Sequence, residues 1–187
     1  IKVSNGTYSE QLPIIVPPNV AIVGDNQRTV TIQPASGLSD DNTNLNINST
    51  MFKMSDGSIL NKMTFKGMTG WTYGLTPGDI TSSTAKGIVV AFNENSPVTI
   101  RSPYILECSA ILTGGIGAYV DGSSHATGYK SMLFHQYTVI SDNGVGFWVH
   151  NNGKSEIVSC FTYYCYFGYS ASAGGYIRSL NGNNSYG

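Results

Sequence analysis

The sequence predicts an all-β fold of the β-solenoid type, a right-handed single-stranded parallel β-helix with coils of roughly 23–29 residues. The first third is a series of short strand-like segments separated by Gly, Pro and Asn turns, without helical periodicity. Further along, two strand-like segments recur together at matching steps. A parallel β-helix explains both observations, whereas a β-sandwich gives no reason for a step shared by two sets of strands.

The strand-like segments of the first third follow one another at short intervals. They are Ile1–Val3, Leu12–Val16, Val20–Val23, Val30–Ile32, Met51–Met54 and Ile59–Phe65. Turn residues separate the first four, at Asn5-Gly6, Pro17-Pro18-Asn19 and Gly24-Asp25. Two further stretches, at 37–50 and 69–85, interrupt the series, and we expect them to form excursions from the stack of coils.

A glycine-led strand recurs through the second half of the chain. Gly87, Gly115 and Gly144 begin similar apolar segments at nearly equal steps, and a fainter copy begins at Gly168 after a shorter step. A second strand recurs with the same two steps that separate Gly115, Gly144 and Gly168. Its copies are Ser102–Ser109, Ser131–Thr138 and Ser155–Thr162. Because two separate strands keep the same steps, the repeat is interpreted as one coil of a solenoid.

Stacked coils place equivalent residues directly above one another, about 4.8 Å apart. The repeat alignment predicts three such columns, namely Tyr104/Leu133/Ile157, Ile105/Phe134/Val158 and Cys108/Tyr137/Phe161. Alternation along a strand sends one column inward and the next outward. The first two columns are the better candidates for the core, but the sequence leaves open which one faces inward.

The composition favours one folded module, and we interpret residues 1–187 as a single β-helix segment. Apolar residues make up 41% of the chain, which is enough to disfavour disorder. Charged residues make up 11% and the net charge is −1, so nothing indicates binding to nucleic acid. No apolar run approaches the roughly 20 residues of a membrane span. The chain begins at Ile1 within a strand, and we expect it to be a piece of a longer protein.

Three cysteines, Cys108, Cys160 and Cys165, lack the spacing of a disulfide framework or a zinc site. We therefore expect free, mostly buried thiols, and synthesis in a reducing cytosol. The histidines and carboxylates do not form a cluster with metal-ligand spacing, so no metal and no cofactor is expected.

Several motifs resemble known families. The opening resembles the entry of right-handed β-helix proteins of the pectin-lyase-like fold, and it comprises Lys2–Pro13, Ile15–Val20 and Ile22–Asp25. Other motifs are similar to large virion structural proteins of marine T-even-like cyanophages. These are Arg101–Tyr104, Val120–Gly122, Ser141–Gly146, Phe161–Cys165 and Asn181–Gly187. The resemblance covers nearly the whole chain and is least clear in the two polar stretches.

The resemblance implies a bacteriophage virion component, made in the host cytoplasm and built into a tail, fibre or baseplate. The partners implied are other virion subunits or further copies of the same chain, with a homotrimer among the arrangements left open. A host cell-surface glycan is a further expected partner.

The repeat predicts one group of polar residues at equivalent positions in successive coils. Counted from the aligned glycines, Asn93, Asp121, His150 and Gly174 occupy equivalent positions, so Asp121 and His150 should be neighbours. An Asp beside a His can be the orienting half of an acid–base pair. The alternative, which we favour, is a polar ladder in which these side chains satisfy the turns at the strand ends.

An aromatic cluster lies near the end of the chain. Tyr163, Tyr164 and Tyr166 could stack on sugar rings or bury against a partner chain if they lie on an outer face. The same rings could instead form an inward stack that stiffens the helix, and the sequence does not decide between these alternatives.

These observations favour a non-enzymatic role, a rigid β-helical segment of a virion protein, while leaving enzymatic activity open. The competing function is a polysaccharide lyase, hydrolase or esterase on the same fold, since fold does not decide function. The eleven acidic residues are scattered, which disfavours the converging carboxylates of a calcium-dependent lyase. A third alternative is a noncatalytic glycan-binding module.

Overall fold

The computed structural model describes residues 1–35, 50–70, 87–125 and 127–186. These residues form twenty β-strands, and none of them is in an α-helix. No helix long and apolar enough to cross a membrane occurs in this part of the chain. The excursions predicted at 37–50 and 69–85 lie almost entirely outside the described residues.

The strands follow one another in coils of three. The first three coils contain β1 (Lys2–Val3), β2 (Gly6–Glu10), β3 (Ile14–Val16), β4 (Ala21–Gly24), β5 (Val30–Pro34), β6 (Phe52–Met54), β7 (Ile59–Asn61), β8 (Thr64–Lys66) and β9 (Ile88–Phe92). The next coils contain β10 (Tyr104–Leu106), β11 (Ser109–Thr113), β12 (Ile116–Asp121), β13 (Ser131–His135), β14 (Thr138–Asp142), β15 (Val145–His150), β16 (Lys154–Val158), β17 (Phe161–Tyr163) and β18 (Phe167–Ala171). A further partial coil contains β19 (Tyr176–Leu180) and β20 (Asn183–Ser185).

Three parallel sheets run the length of the stack. Sheet A contains the first strand of every coil, in the order β1-β4-β7-β10-β13-β16-β19. Sheet B contains the second strands, β2-β5-β8-β11-β14-β17-β20, and sheet C the third strands, β3-β6-β9-β12-β15-β18. Each strand pairs with its equivalents one coil before and after it. The chain is therefore a right-handed parallel β-helix, as its sequence predicts.

The core is built from inward files, each with one side chain per coil. In sheet A, Ile105 pairs with Phe134, which pairs with Ile157, and all three are buried. Tyr137 is also buried and stacks on Phe134, with ring centroids 5.8 Å apart. Phe147 of sheet C meets the Phe134 ring edge-on at 5.1 Å, so side chains from different sheets interdigitate along the axis.

The register corrects part of the predicted columns. The longer of the two predicted steps is confirmed, because Tyr104 pairs with Leu133 and Ile105 with Phe134. The following step is one residue shorter than predicted in sheets A and B, and two residues shorter in sheet C. Leu133 therefore lies beside Glu156 and not Ile157, and Phe134 lies beside Ile157 and not Val158.

The third predicted column changes in the same way, because Phe161 pairs with Thr138 and not with Tyr137. The connection that follows sheet C explains why this coil is shorter than the one before it. Nine residues join β12 to β13 but three join β15 to β16, and this difference accounts for the shorter step of the later coil in sheet A.

The corner between sheets A and B, called the A–B corner below, is built by left-handed residues. They are Lys62, Glu107, Gln136, Ser159 and Asn181, with φ between 49° and 58°. Each such residue follows a strand and redirects the chain. The left-handed conformation is uncommon for residues other than glycine. The N–H of Glu107 donates to the carbonyl of His135 in the next coil at 3.0 Å, so the corner itself is hydrogen-bonded between coils.

Both faces of sheet C are buried in its central strands. Every residue of β12 and β15 is buried, on the outer face as well as the inner. The outer face carries a second apolar cluster, in which Tyr119 and Trp148 lie 4.8 Å apart between ring centroids. Sheet C thus differs from sheets A and B, whose central strands alternate between buried and partly exposed residues.

Neighbouring residues of β13 test the inward and outward assignment. Phe134→Ala removes a fully buried ring, and we expect the free energy of unfolding to fall by about 3–5 kcal/mol. Leu133→Ala alters the outer face and should lower it by less than about 1 kcal/mol. Chemical denaturation of both variants measures the difference. Equal losses, or a larger loss at Leu133, would contradict the register.

Candidate functional site

Asp121 and His150 are the last residues of β12 and β15. These strands are adjacent in sheet C, and the register pairs Asp121 directly with His150. The repeat therefore placed the two residues correctly as neighbours in successive coils. Both side chains are largely buried, with Asp121 3% and His150 9% exposed.

The Asp121 carboxylate accepts four hydrogen bonds. Its Oδ1 accepts from the main-chain N–H of Ser123 (2.8 Å), the Ser123 hydroxyl (2.6 Å) and the Asn151 amide (3.0 Å). Its Oδ2 accepts from the Tyr119 hydroxyl (2.8 Å). Burial alone raises the pKa of Asp121, but these donors outweigh burial and hold the pKa below its ordinary value. The site therefore stabilises a charged carboxylate.

His150 belongs to a separate set of contacts. Its Nδ1 lies 2.7 Å from the Ser172 hydroxyl, which also accepts a hydrogen bond from the indole of Trp148 at 3.0 Å. Among the described residues no hydrogen bond or ion pair joins Asp121 to His150. The two are thus neighbours in the sheet without forming an Asp–His pair, and a catalytic role for them stays a prediction.

The position after His150 is occupied by Ser172 and not by Gly174. Val149 pairs with Ala171, so the next residue along, Ser172, is the one beside His150. The predicted equivalence to Gly174 was wrong because it used a step two residues longer than the one in sheet C. A hydroxyl, which can bond to the imidazole, therefore stands where the sequence alignment placed a glycine.

Asn93 repeats the turn geometry of Asp121 one coil earlier. Its Oδ1 accepts from the N–H of Asn95, two residues on, at 3.1 Å, as Asp121 accepts from Ser123. Its amide also donates to the Ser55 hydroxyl of the preceding coil at 2.9 Å. A side chain that accepts from the N–H two residues on forms an Asx turn. These contacts agree with the polar ladder that we favoured from the sequence.

A cleft of about 320 Å³ lies beside Asp121. Its lining residues are Thr50, Lys53, Ala91, Phe92, Glu94, Tyr119, Asp121, Ser123 and Ser124. The Lys53 ammonium, with 7% of its side chain exposed, pairs with Glu94 at 2.5 Å. Burial raises the pKa of Glu94, but the hydrogen bond from Lys53, a main-chain hydrogen bond and the nearby positive charge together outweigh burial, and the pKa is lowered. Lys53 and Glu94 therefore neutralise each other, and the ionised Asp121 is the remaining charged group of the lining.

Lys53 and Glu94 were not predicted from the sequence as site residues. A signal was present, because Lys53 lies within the apolar segment Met51–Met54, where alternation sends it to the face opposite the core residues Phe52 and Met54. A lysine on the outer face of a strand that is buried on both sides requires a charged partner. The identity of that partner, 41 residues away in sequence, depends on the fold.

The three candidate tyrosines lie at and near the corner between sheets B and C. Tyr163 is half-buried at the end of β17, whereas Tyr164 is exposed and stacks on Tyr186 with ring centroids 5.3 Å apart. Tyr166 is exposed, and its ring contacts the ring of Phe167, with the two centroids 4.6 Å apart. Tyr164 and Tyr166 therefore face outward and can contact a ligand, and their role in binding stays a prediction.

The cysteines are free and buried, as their spacing predicts. Burial raises the pKa of Cys108 to about 12 and that of Cys160 and Cys165 to about 11. A thiol held protonated in this way is a poor nucleophile at neutral pH. No group of three or more His, Cys, Asp or Glu residues suited to a metal ion occurs in the described part of the chain.

Comparison with known proteins identifies no family for the chain. No protein-family model matches the chain, and no curated protein matches it. A solved structure, a pectin methylesterase from Yersinia enterocolitica, aligns with 100% of this chain and 85% of its own, at 10% sequence identity and a TM-score of 0.47. We transfer no residue role at this level of similarity. The fold assignment depends on the three parallel sheets.

The lowered pKa of Asp121 predicts a pH-dependent contribution to stability. A carboxylate favoured in the folded state stabilises it above the unfolded pKa, about 3.9, and this contribution is lost as the pH falls through the lower folded pKa. Asp121→Asn removes the charge, so the stability gap between wild type and variant should be largest near neutral pH and shrink below about pH 4.

Urea denaturation across this pH range measures the gap. Glu156→Gln is the matched control, because Glu156 forms an exposed ion pair with Arg178 that contributes little. A gap between wild type and Asp121→Asn that stays constant down to the lowest pH would contradict the assigned role of the charged carboxylate.

Proposed function

We propose that this chain is a rigid, noncatalytic β-helical segment of a phage virion protein that belongs to a tail, fibre or baseplate. The sequence motifs similar to cyanophage virion proteins support the virion part of the proposal. The three continuous parallel sheets support the mechanical part, because every coil is hydrogen-bonded to its neighbours along the axis. At about 4.8 Å per coil, the described stack is a rod about 30 Å long.

The observation that carries the noncatalytic part is the use of Asp121. All four of its hydrogen bonds come from its own turn, its own strand and the next coil, so the carboxylate fastens the end of sheet C. A general acid needs a proton to give, and a general base needs an oxygen that is free to take a proton from a substrate. The lowered pKa leaves Asp121 ionised at neutral pH, with its oxygens already occupied.

Asp56 is a second carboxylate used in this way. It accepts from the main-chain N–H groups of Ile100 (3.1 Å) and Arg101 (2.8 Å) and from the hydroxyl of Thr99 (3.0 Å). Burial raises its pKa, but these donors hold the pKa below the ordinary value. Asp56 thereby ties the segment that enters the fourth coil to the second, which stiffens the rod.

We propose that other virion subunits, or further copies of the chain such as in a homotrimer, are the partners of this segment. The sequence motifs similar to cyanophage virion proteins support this part of the proposal.

The competing function is cleavage or de-esterification of a polysaccharide on the same fold. The cleft beside Asp121, with Lys53 and Glu94 in its wall, is the specific observation that favours it. The internal Lys53–Glu94 ion pair and the occupied Asp121 carboxylate argue against it, since neither carboxylate is available as a base.

Antibodies raised against this chain test the virion assignment. Immunoelectron microscopy of T-even-like cyanophage particles that encode it should show labelling confined to the tail, fibres or baseplate. Antibodies pre-absorbed with the purified chain serve as the control and should not label. Purified particles that lack the protein, while infected cells contain it, would contradict the proposal.

The noncatalytic claim is tested on the purified chain. Incubation with cyanobacterial and algal surface polysaccharides and with methyl-esterified pectin should release no reducing ends, no unsaturated ends and no methanol. Release of any of these products by the wild-type chain would contradict the noncatalytic role if Asp121→Asn abolishes the release and Glu156→Gln leaves it intact. The chain would then be an enzyme.

A further inference from the structure

The A–B corner carries a polar groove that the proposed function does not use. One part encloses about 510 Å³ and is lined by Gln27, Glu107, Gln136, Thr138, Ser159 and Phe161. A second part encloses about 280 Å³ and is lined by Asp25, Asn26, Gln27, Arg28, Lys62 and Glu107. Because Gln27 and Glu107 line both parts, the two parts are adjacent, and together they are called the A–B groove below. Its size is within the range of small-molecule sites.

Two outer files of side chains form the floor of the groove. The first file is the left-handed corner itself, Glu107, Gln136 and Ser159. The second file stands two residues further on, at the start of sheet B, and contains Ser109, Thr138 and Phe161 in register. The residue between the files points inward in each coil, and these residues, Cys108, Tyr137 and Cys160, are buried. The groove therefore presents two outward side chains in every coil.

The turn at residues 25–29 forms one wall and is fixed in place. The Gln27 amide donates to the hydroxyl of Ser109 at 2.7 Å, and the Gln27 carbonyl accepts from the hydroxyl of Thr64 at 2.7 Å. These bonds hold the turn against strands β8 and β11, which are one and two coils further along. The wall is thus formed in the absence of a ligand, which lowers the entropic cost of binding.

The charges along the groove balance. Lys62 lies 3.8 Å from Glu107, and Asp25 lies 3.2 Å from Lys2. The lining carries two cations, Arg28 and Lys62, and two carboxylates, Asp25 and Glu107. Lys2 is not part of the lining. A balanced lining favours a neutral ligand. A nucleic acid would instead require an excess of positive charge.

We propose that the A–B groove binds an extended, neutral oligosaccharide, with about one sugar residue per coil. The coil spacing of about 4.8 Å is close to the length of one pyranose in an extended chain. Amide, hydroxyl and carboxylate groups recur at that spacing and can pair with sugar hydroxyls. Phe161 supplies a ring face against which a sugar can pack. A protein partner is disfavoured because the lining lacks the apolar centre of a protein interface.

A neutral glycan can bind the A–B groove whether or not the chain belongs to a virion, so this inference does not depend on the proposed function. The groove also lies at a different corner from Tyr164 and Tyr166. The two surfaces can therefore be distinguished by mutation.

Isothermal titration calorimetry with neutral β-1,4-linked hexasaccharides tests the inference. Cellohexaose, mannohexaose and xylohexaose are the extended probes, with maltohexaose as a curved neutral chain and hexagalacturonate as an anionic one. We expect at least one extended probe to bind, with amide NMR shifts at Gln136 and Phe161, and both comparison probes to bind more weakly. Absence of binding by all three extended probes, or a preference for either comparison probe, overturns the proposal.

Variants at the two corners locate the site. Gln136→Gly removes the groove side chain at a residue whose φ of 52° suits glycine, and Asn143→Gly makes the same change at φ 56° at the other corner. Gln136→Gly should weaken binding about fivefold and Phe161→Ala about tenfold, whereas Asn143→Gly should leave it unchanged. Thermal denaturation confirms that each variant is folded. If Tyr164→Ala abolishes binding while Gln136→Gly and Phe161→Ala retain it, the oligosaccharide binds at the exposed tyrosines. That result overturns the proposal.

Discussion

In-register hydrogen bonding between successive coils is the constraint on which the rest of this structure depends. Each strand pairs with its equivalents in the coils before and after it, so side chains repeat in files along the axis. The inward file through Ile105, Phe134 and Ile157 forms the core. A slip of one residue would exchange inward and outward files, so the apolar pattern fixes the register as firmly as the main chain does.

The same constraint decides what the polar side chains do. At the end of sheet C the chain must turn in every coil, and Asn93 and Asp121 satisfy these turns with their own oxygens. At the A–B corner the turn is made by a left-handed residue, so the side chains of Glu107 and Gln136 remain available at the surface. One part of each coil thus serves stability while another can serve recognition.

The sequence predicted the fold class and the adjacency of Asp121 and His150 because the two strand sets keep the same step there. It failed at the following coil, where the step in sheet C is two residues shorter than the alignment predicted, so that Ser172 and not Gly174 lies beside His150. The glycines misled the alignment, since Gly168 lies beside Gly146 and not beside Gly144. The Lys53–Glu94 pair could not be predicted because Lys53 lies before Gly87, the first glycine of the aligned repeat, so that no repeat related it to Glu94, 41 residues away.

An engineered disulfide tests the register most directly. Neighbouring strands lie about 4.8 Å apart, a separation that a disulfide can span. Mild oxidation of a Leu133→Cys/Glu156→Cys variant should form an intramolecular disulfide, identified by peptide mapping, because both positions lie on the outer face of sheet A. A Leu133→Cys/Ile157→Cys variant should not form one, because Ile157 points into the core. The opposite result would contradict the stack of coils described above.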